Sequence, residues 1–283
     1  MTQAPATPAD AQLRPLGTAE ILDGAVRLVR GNFRAVLSVS VPVAVVTTAL
    51  RALLLLAQAE SPGATIGSVG GGVFLNAWAG VLLGGLLAPL FAASLLGHRR
   101  SVRATLPRLA RTVGILALLG LLVAVAETAG LFAFAVGGVW LWGVWAVAAP
   151  ACSTEQLRVF AALRRSTQLV RNTFWRTWGI RALGWLLTSV LGMFVTLPAQ
   201  LLADLVTGTG TLDSTGVAEP TLFVAIVAVG TLLAAAVVAP VAAAIDVLLY
   251  TDLRMRKEGL DLVLALPPAA EPDVPAPAPV TAW

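Results

Sequence analysis

The chain has 283 residues, of which 58% are hydrophobic and 12% are charged, with a formal net charge of +4. Soluble domains carry roughly 25% charged residues, so a soluble fold of this composition would expose too much apolar surface to water. A lipid bilayer accepts that surface, and the composition predicts an all-α polytopic membrane protein. Nucleic acid is excluded as a partner, because the arginines flank apolar runs and form no soluble basic face.

The chain offers few groups for catalysis. It contains one cysteine, Cys152, and one histidine, His98, which excludes a disulfide framework, a cysteine-based zinc site and most Ser–His designs. No nucleotide-binding, metalloprotease or hydrolase motif occurs along the chain. We therefore expect a protein that is not an enzyme and that holds no metal or other cofactor.

The first unit, residues 14–111, begins with an amphipathic helix. It is predicted from Thr18 to Asn32, with Thr18 as the N-cap, and its pattern is typical of a helix that lies in the headgroup plane. Its polar stripe consists of Asp23, Arg27, Arg30 and Arg34. The two ends of the chain, residues 1–13 and 267–283, are rich in alanine and proline and are expected to be disordered.

Two spans follow in the first unit, at residues 33–57 and 71–97. Each apolar run is long enough to cross a bilayer, which takes about 20 residues. The second span carries a small residue at every fourth position, a spacing that indicates close packing against another helix. These small residues are Gly80, Gly84 and Ala88.

A basic loop and a long apolar run make up the middle of the chain. The loop carries Arg99, Arg100, Arg103, Arg108 and Arg111. The run at residues 112–151 is about twice as long as one crossing requires, so it predicts a helical hairpin. We expect its turn between Thr128 and Gly138, with Gly137-Gly138 the best candidate, and we expect Pro150 to end or kink the fourth span.

The second unit, residues 152–266, follows the same order of elements as the first. An amphipathic helix is predicted from Ser153 to Asn172, where Ser153 and Gln156 have the spacing of a capping box. Two more spans are predicted at residues 177–202 and 221–250. The basic residues expected at the interface in this unit are Arg165, Arg171, Arg254, Arg256 and Lys257.

The placement of the 19 Lys and Arg residues predicts the orientation in the membrane. If the N-terminus faces the cytoplasm, every one except Arg51 lies in a cytoplasmic segment or within a turn or two of one. The two outer loops, near Glu60 and Asp213, carry none. This distribution follows the positive-inside rule, so we expect a multi-pass protein of the cell membrane with both termini in the cytoplasm. The basic residues are expected to contact anionic lipid headgroups.

A short pattern occurs twice in the chain. Leu28–Phe33 and Leu169–Phe174 share Leu-Val-Arg-x-x-Phe, and two spans follow each copy. Pro89 in the second span also has a counterpart in Pro240 in the sixth. We therefore predict an internal duplication, in which each unit is a surface helix plus two spans and the hairpin lies between the units. The alternative is that two surface helices converged on the same short pattern.

Four ionisable residues lie within or at the edges of the spans: Arg51, Glu127, Arg181 and Asp246. A charge at the bilayer centre costs roughly 2.5–3.5 kcal/mol, so each needs a partner, water or an interface. Counting about 1.5 Å per residue from the cytoplasmic ends pairs Arg51 with Glu127 and Arg181 with Asp246 by depth. These pairs form either a polar pathway or ligand site, or two packing clamps. In the second case, Arg51 can also snorkel to the outer interface.

Three stretches resemble the bacterial family named for the glycerophosphoryl diester phosphodiesterase membrane domain. The first comprises Leu13–Leu16, Glu20–Ala25 and the Leu-Val-Arg-x-x-Phe that follows them. The second runs from Ala162–Ser166 through Phe174-Trp175, and the third is Tyr250–Leu262. In some members of that family, the membrane domain is fused to a phosphodiesterase whose barrel begins with His-Arg-Gly. Here His98-Arg99-Arg100 departs from that motif and lies between spans. The resemblance therefore implies the membrane domain without the esterase.

Two roles are compatible with this architecture. The leading expectation is a non-catalytic membrane module that organises lipids or partner membrane proteins at the cytoplasmic face, because the basic residues lie on that side. The alternative is a small transporter or permease, since many carriers are built from repeats and embed charges in their spans. A water-accessible cavity lined by Glu127 or Asp246 would favour transport, and a solid bundle would favour the module.

Overall fold

The computed structural model describes residues 16–59, 65–95, 102–208 and 220–259. These residues form ten α-helices and no strand: α1 (Thr18–Gly31), α2 (Phe33–Ala59), α3 (Thr65–Leu95), α4 (Val102–Ala133), α5 (Ala135–Val144), α6 (Ala148–Thr154), α7 (Val159–Val170), α8 (Phe174–Thr207), α9 (Pro220–Val237) and α10 (Ala239–Glu258). The predicted disordered tails, Arg99, Arg100 and the side chain of Arg103 lie outside the described part of the chain.

Six segments are long and apolar enough to cross a membrane. They are Phe33–Ala57, Val69–Leu95, Thr112–Ala133, Ala135–Thr154, Phe174–Thr207 and Thr221–Glu258. The predicted all-α bundle with six spans is therefore confirmed. The protein is a multi-pass membrane protein, because a helix satisfies its own backbone hydrogen bonds and can cross the bilayer without exposing them to lipid.

The two amphipathic helices pack against the bundle. Ile21, Ala25 and Val29 recur on one face of α1 and are buried in a core that also contains residues of α3, α8 and α10. The buried face of α7 joins a second core with residues of α3, α4 and α6. Protein, and not the acyl chains, therefore covers much of the apolar stripe of each helix.

The first amphipathic helix begins at Thr18 as predicted, but Thr18 is not its N-cap. Gly17 is the N-cap of α1, and its N–H donates to the Glu20 carboxylate at 2.7 Å, which completes the first turn. The second helix, α7, begins at Val159 instead of Ser153. Ser153 lies near the end of α6, where its hydroxyl donates to carbonyls of the preceding turn, so the predicted capping box was wrong.

The hairpin between the third and fourth spans turns at Phe134, in extended conformation, before the predicted glycine pair. Gly137 and Gly138 lie instead in the first turn of α5. A Cβ at Gly138 would lie 2.6 Å from the Leu131 nitrogen and 2.9 Å from the Glu127 carbonyl oxygen. Glycine is needed at this position because the backbones of α4 and α5 approach closely.

Two of the six spans are broken near proline. The fourth span is interrupted by a turn at residues 145–147, and Pro150 lies in the first turn of α6. Because Pro150 has no N–H, it cannot donate to the Ala146 carbonyl, so the break precedes the proline. The sixth span breaks at Val238, two residues before Pro240 at the start of α10.

The two copies of Leu-Val-Arg-x-x-Phe lie at corresponding places in the fold. The first ends α1 and its phenylalanine, Phe33, begins α2; the second ends α7 and its phenylalanine, Phe174, begins α8. After these copies the units differ, since α3 continues through Pro89 whereas the sixth span is broken at Val238. The internal duplication stays a prediction.

Candidate functional site

A cavity of about 770 Å³ lies between the spans, and all six spans contribute to its wall. It is lined by all four of the embedded charged residues that the sequence singles out: Arg51, Glu127, Arg181 and Asp246. Its volume lies within the range of about 300–1,000 Å³ that is typical of small-molecule sites. The four charges therefore belong to one site.

Arg181 and Asp246 form the ion pair that was predicted for them. The Arg181 Nε lies 3.3 Å from an Asp246 carboxylate oxygen, and both side chains are largely buried. Arg181 also donates to the Trp142 carbonyl near the end of α5, and its guanidinium lies 4.7 Å from the centre of the Trp142 ring. The broken fourth span thus supplies a carbonyl and an aromatic face to the same cation.

Glu127 extends this pair into a three-residue cluster. Its side chain is 9% exposed, and it interacts electrostatically with Arg181 and Asp246. It forms no hydrogen bond or ion pair with any described residue. Because the hairpin turns at Phe134, Glu127 on α4 and Trp142 on α5 lie at similar depths, and the long Arg181 side chain reaches that level.

Arg51 lines the same cavity without a carboxylate partner among the described residues. Its one hydrogen bond to a described residue is a long one, from Nη2 to the Gly72 carbonyl at 3.4 Å. The predicted Arg51–Glu127 pair was therefore wrong. Glu127 interacts electrostatically with Arg181 and Asp246 instead. The prediction failed because counting residues along a span estimates the depth of a side chain but not the direction in which it points.

Neutral polar residues line part of the remaining wall, which is mostly apolar. They are Thr47, Thr48, Asn76, Thr188, Ser189, Thr196 and Thr231. The hydroxyls of Thr47, Thr188 and Thr196 donate to carbonyls of their own helices, which leaves their oxygens as acceptors. The cavity can therefore hold a polar molecule or water at membrane depth.

The three small residues predicted to pack on α3, Gly80, Gly84 and Ala88, have different surroundings. Ala88 is fully buried in the core, and a Cβ at Gly84 would lie 3.5 Å from the Cβ of Ala149. Gly80 lines the cavity, and no described residue lies within 4 Å of the place that its Cβ would take. The packing role therefore does not extend to Gly80.

A second polar cluster lies at one end of the bundle, around Asp252. This carboxylate is fully buried and accepts hydrogen bonds from the Leu16 N–H at 2.8 Å, Arg176 at 2.5 Å and Arg256 at 3.1 Å. Arg176 also donates to the Leu16 carbonyl at 2.8 Å. The sequence offered one signal for this cluster, the spacing of Asp252 and Arg256 by one helical turn.

A neighbouring network joins α7 to α10. Arg165 donates both to Glu155, at 2.9–3.0 Å, and to Glu258, at 2.5 Å. Partial burial lowers the pKa of Arg165, but these two carboxylates outweigh that effect and hold the pKa above its ordinary value. Tyr250 donates to Glu155 at 2.6 Å. Arg254 also lies within ion-pair distance of both carboxylates, so three side chains from α7 and α10 share Glu155 and Glu258, which fixes α7 on the bundle.

The predicted interfacial basic residues divide into two groups. Arg27, Arg30, Arg34 and Arg171 have exposed side chains. Arg165, Arg254, Arg256 and Lys257 are engaged with protein groups; Lys257, for example, donates to the carbonyls of Gln168 and Arg171 at the end of α7. Cations suit that position because the last carbonyls of a helix are without partners.

Within the described residues, no group of three or more His, Cys, Asp or Glu side chains is placed to hold a metal ion. In comparisons with known proteins, no family model, no curated protein and no solved structure matches this chain.

Proposed function

We propose that this protein is a non-catalytic carrier of the cell membrane, which binds a small polar solute in the central cavity and moves it across the bilayer. One observation carries the proposal: a single cavity inside the bundle is lined by Arg51, Glu127, Arg181 and Asp246. This was the feature expected to favour transport over a solid membrane module.

Packing clamps alone account poorly for these charges. A clamp neutralises opposite charges and needs no empty space, as the Arg181–Asp246 pair illustrates. Arg51 and Glu127 have no ion-pair partner among the described residues, yet they face the cavity. Since an unpaired charge at membrane depth is costly, its retention is typical of a functional site that binds water, an ion or a substrate.

The broken spans support the same proposal. Both the turn at residues 145–147 and the break at Val238 contribute to the cavity wall. Secondary transporters often build their sites from discontinuous helices, because a break exposes backbone groups and allows parts of the bundle to move against each other. This support is an analogy of architecture and specifies no substrate.

We also propose an orientation in the membrane and a family for this protein. We place both termini in the cytoplasm, on the strength of the positive-inside distribution. We also keep the proposed membership of the phosphodiesterase-associated membrane-domain family. Its opening and closing motifs contact each other here, since the Leu16 N–H donates to the Asp252 carboxylate.

A second candidate is the module that organises anionic lipids or partner membrane proteins. Its specific support is a group of exposed basic residues, Arg27 and Arg30 on α1 and Arg34 at the start of α2, beside a helix whose apolar face is already covered by the bundle. Such a group can attract anionic headgroups. It does not account for the charged cavity, so we rank this role second.

An efflux experiment tests the carrier directly. Purified protein is reconstituted into liposomes loaded with a defined mixture of amino acids, sugars, carboxylates, phosphorylated compounds and amines, and mass spectrometry follows which compounds leave. We expect at least one compound to leave faster than from protein-free liposomes. If none does with folded protein, the carrier proposal is wrong.

Two tryptophan substitutions provide a matched pair for this experiment. Gly80→Trp places a large ring in the cavity, where the position has open space, and should abolish the efflux. Gly114→Trp places the same ring at an exposed site on α4 that does not line the cavity, and efflux should persist. Equal efflux from the two variants would show that the solute does not pass through this cavity.

A further inference from the structure

We propose that the solute of this cavity is a zwitterion, a small molecule that carries a cationic amine and an acidic group at the same time. The proposal rests on the carrier function and names its substrate class. It follows from which of the cavity charges are compensated within the protein and which are left for a ligand.

The first step is the charge balance of the cavity wall. Arg181 and Asp246 neutralise each other at 3.3 Å. Among the described residues, Arg51 has one long hydrogen bond, to a backbone carbonyl, and Glu127 has neither a hydrogen bond nor an ion pair. Within the described part of the chain, Arg51 therefore has no counter-charge, and the only cation near Glu127 is Arg181, which already pairs with Asp246. The ligand meets one cation and one carboxylate in excess of that pair.

The second step asks which ligand would neutralise both Arg51 and Glu127. An anion bound at Arg51 would be repelled by Glu127 and would leave Glu127 without a counter-charge. A cation bound at Glu127 would be repelled by Arg51 and would leave Arg51 without a counter-charge. Charges buried in a medium of low dielectric constant need opposite charges close by. A ligand with one acidic group and one amine satisfies both residues and adds no net charge to the membrane interior.

The third step concerns the uncharged residues that line the cavity. Asn76 lines the cavity with an exposed side chain and makes no hydrogen bond with a described residue, so its amide can donate to an acidic group or accept from an amine. Trp145 and Trp185 add aromatic surface, which attracts ammonium groups. These groups suit a polar molecule with both kinds of charge.

The test compares charge classes with purified wild-type protein and three sets of probes of similar size. The zwitterions are L-leucine, glycine betaine and phosphoethanolamine; the anions are isocaproate, succinate and glycerol 3-phosphate; the cations are isoamylamine, choline and putrescine. Thermal stabilisation of the protein gives the half-saturating concentration, and liposome efflux shows whether the same compound moves. Comparison of the carboxylates with phosphoethanolamine shows whether the acidic group is a carboxylate or a phosphate.

We expect a zwitterion to bind at a concentration at least about tenfold lower than its matched anion and cation. Arg51→Gln and Glu127→Gln should each raise that concentration by about tenfold or more, since each loses a charge-assisted contact. Arg164→Gln and Asp23→Asn remove the same charges at exposed sites and should leave it unchanged.

The possible failures are distinguishable. If an anion or a cation binds and moves as well as any zwitterion, the substrate class is wrong while the carrier function stands. If no compound of any class leaves the liposomes, the carrier function falls and the zwitterion with it. Because the ranking is obtained on the wild-type protein, it holds even if a variant fails to fold.

Discussion

At the scale of single residues, Asp252 joins three parts of the chain that are far apart in sequence. Its carboxylate, fully buried, accepts from Leu16 before α1, from Arg176 on α8 and from Arg256 on α10. These bonds are charge-assisted and therefore stronger than those between neutral groups. The carboxylate is a structural anchor that lies apart from the cavity.

Asp252→Asn should strongly destabilise the protein. The substitution keeps the size of the side chain but leaves Arg176 and Arg256 without their counter-charge. Because both arginines are partly exposed, we expect a loss of about 2–3 kcal/mol in the free energy of unfolding. Thermal unfolding in detergent measures the effect. Asp23→Asn, at an exposed position of α1, is the matched control, and equal melting temperatures for the two variants would contradict this account.

The four embedded charges show how far the sequence could lead at this scale. Their cost in lipid predicted that each of the four needs a partner, water or an interface, and all four line the cavity. Depth along each span correctly paired Arg181 with Asp246. It could not pair Glu127, because the partner of a side chain depends on helix rotation and on the level of the hairpin turn, and neither is encoded by residue spacing.

At the scale of elements, the lengths of the apolar runs predicted the six spans, and the hairpin turn lies within its predicted range, although not at the glycine pair. Pro150 predicted an interruption of the fourth span, which lies at residues 145–147, whereas the break at Val238 was not predicted. Apolar length is a property of the whole segment and is robust to errors of a few residues. A break depends on which carbonyl loses its donor, as at Pro150, and a turn depends on tertiary contact, as at Phe134. The glycine pair expected to form that turn serves close packing instead.

Gly138→Ala should therefore destabilise the hairpin. Its methyl group would meet backbone atoms of Leu131 and Glu127, which cannot move aside as a flexible side chain can. We expect a loss of about 1–3 kcal/mol and a lower rate of efflux, because Glu127 lies at the same contact. Gly114→Ala, with no described neighbour within 4 Å, should be neutral or slightly stabilising. Both are measured by thermal unfolding, and the same melting temperature in the two variants would contradict the close approach.

At the scale of the whole molecule, the bundle combines a solid end with a hollow centre. Around Asp252 and Arg165, ion pairs join α7 and α8 to α10, and hydrogen bonds to the Leu16 backbone hold the segment that precedes α1. Between the spans, all six spans line a common space, and four of them contribute charged or hydroxyl side chains to it. Composition and periodicity predicted the membrane architecture but not this division, because a cavity arises from the way in which helices cross and not from the pattern along any one of them.

The central claim is that the charged cavity admits water. Ser189 lines the cavity, whereas its neighbour Val190 is exposed on the outside of α8 and does not line it. In a Cys152→Ser background, Ser189→Cys and Val190→Cys are treated in unsealed membranes with a charged thiol reagent, which does not enter lipid, and labelling rates are measured. The cavity account predicts that the cysteine at position 189 reacts far faster than that at 190. Equal, slow labelling of both would contradict it and favour a solid bundle with packing clamps.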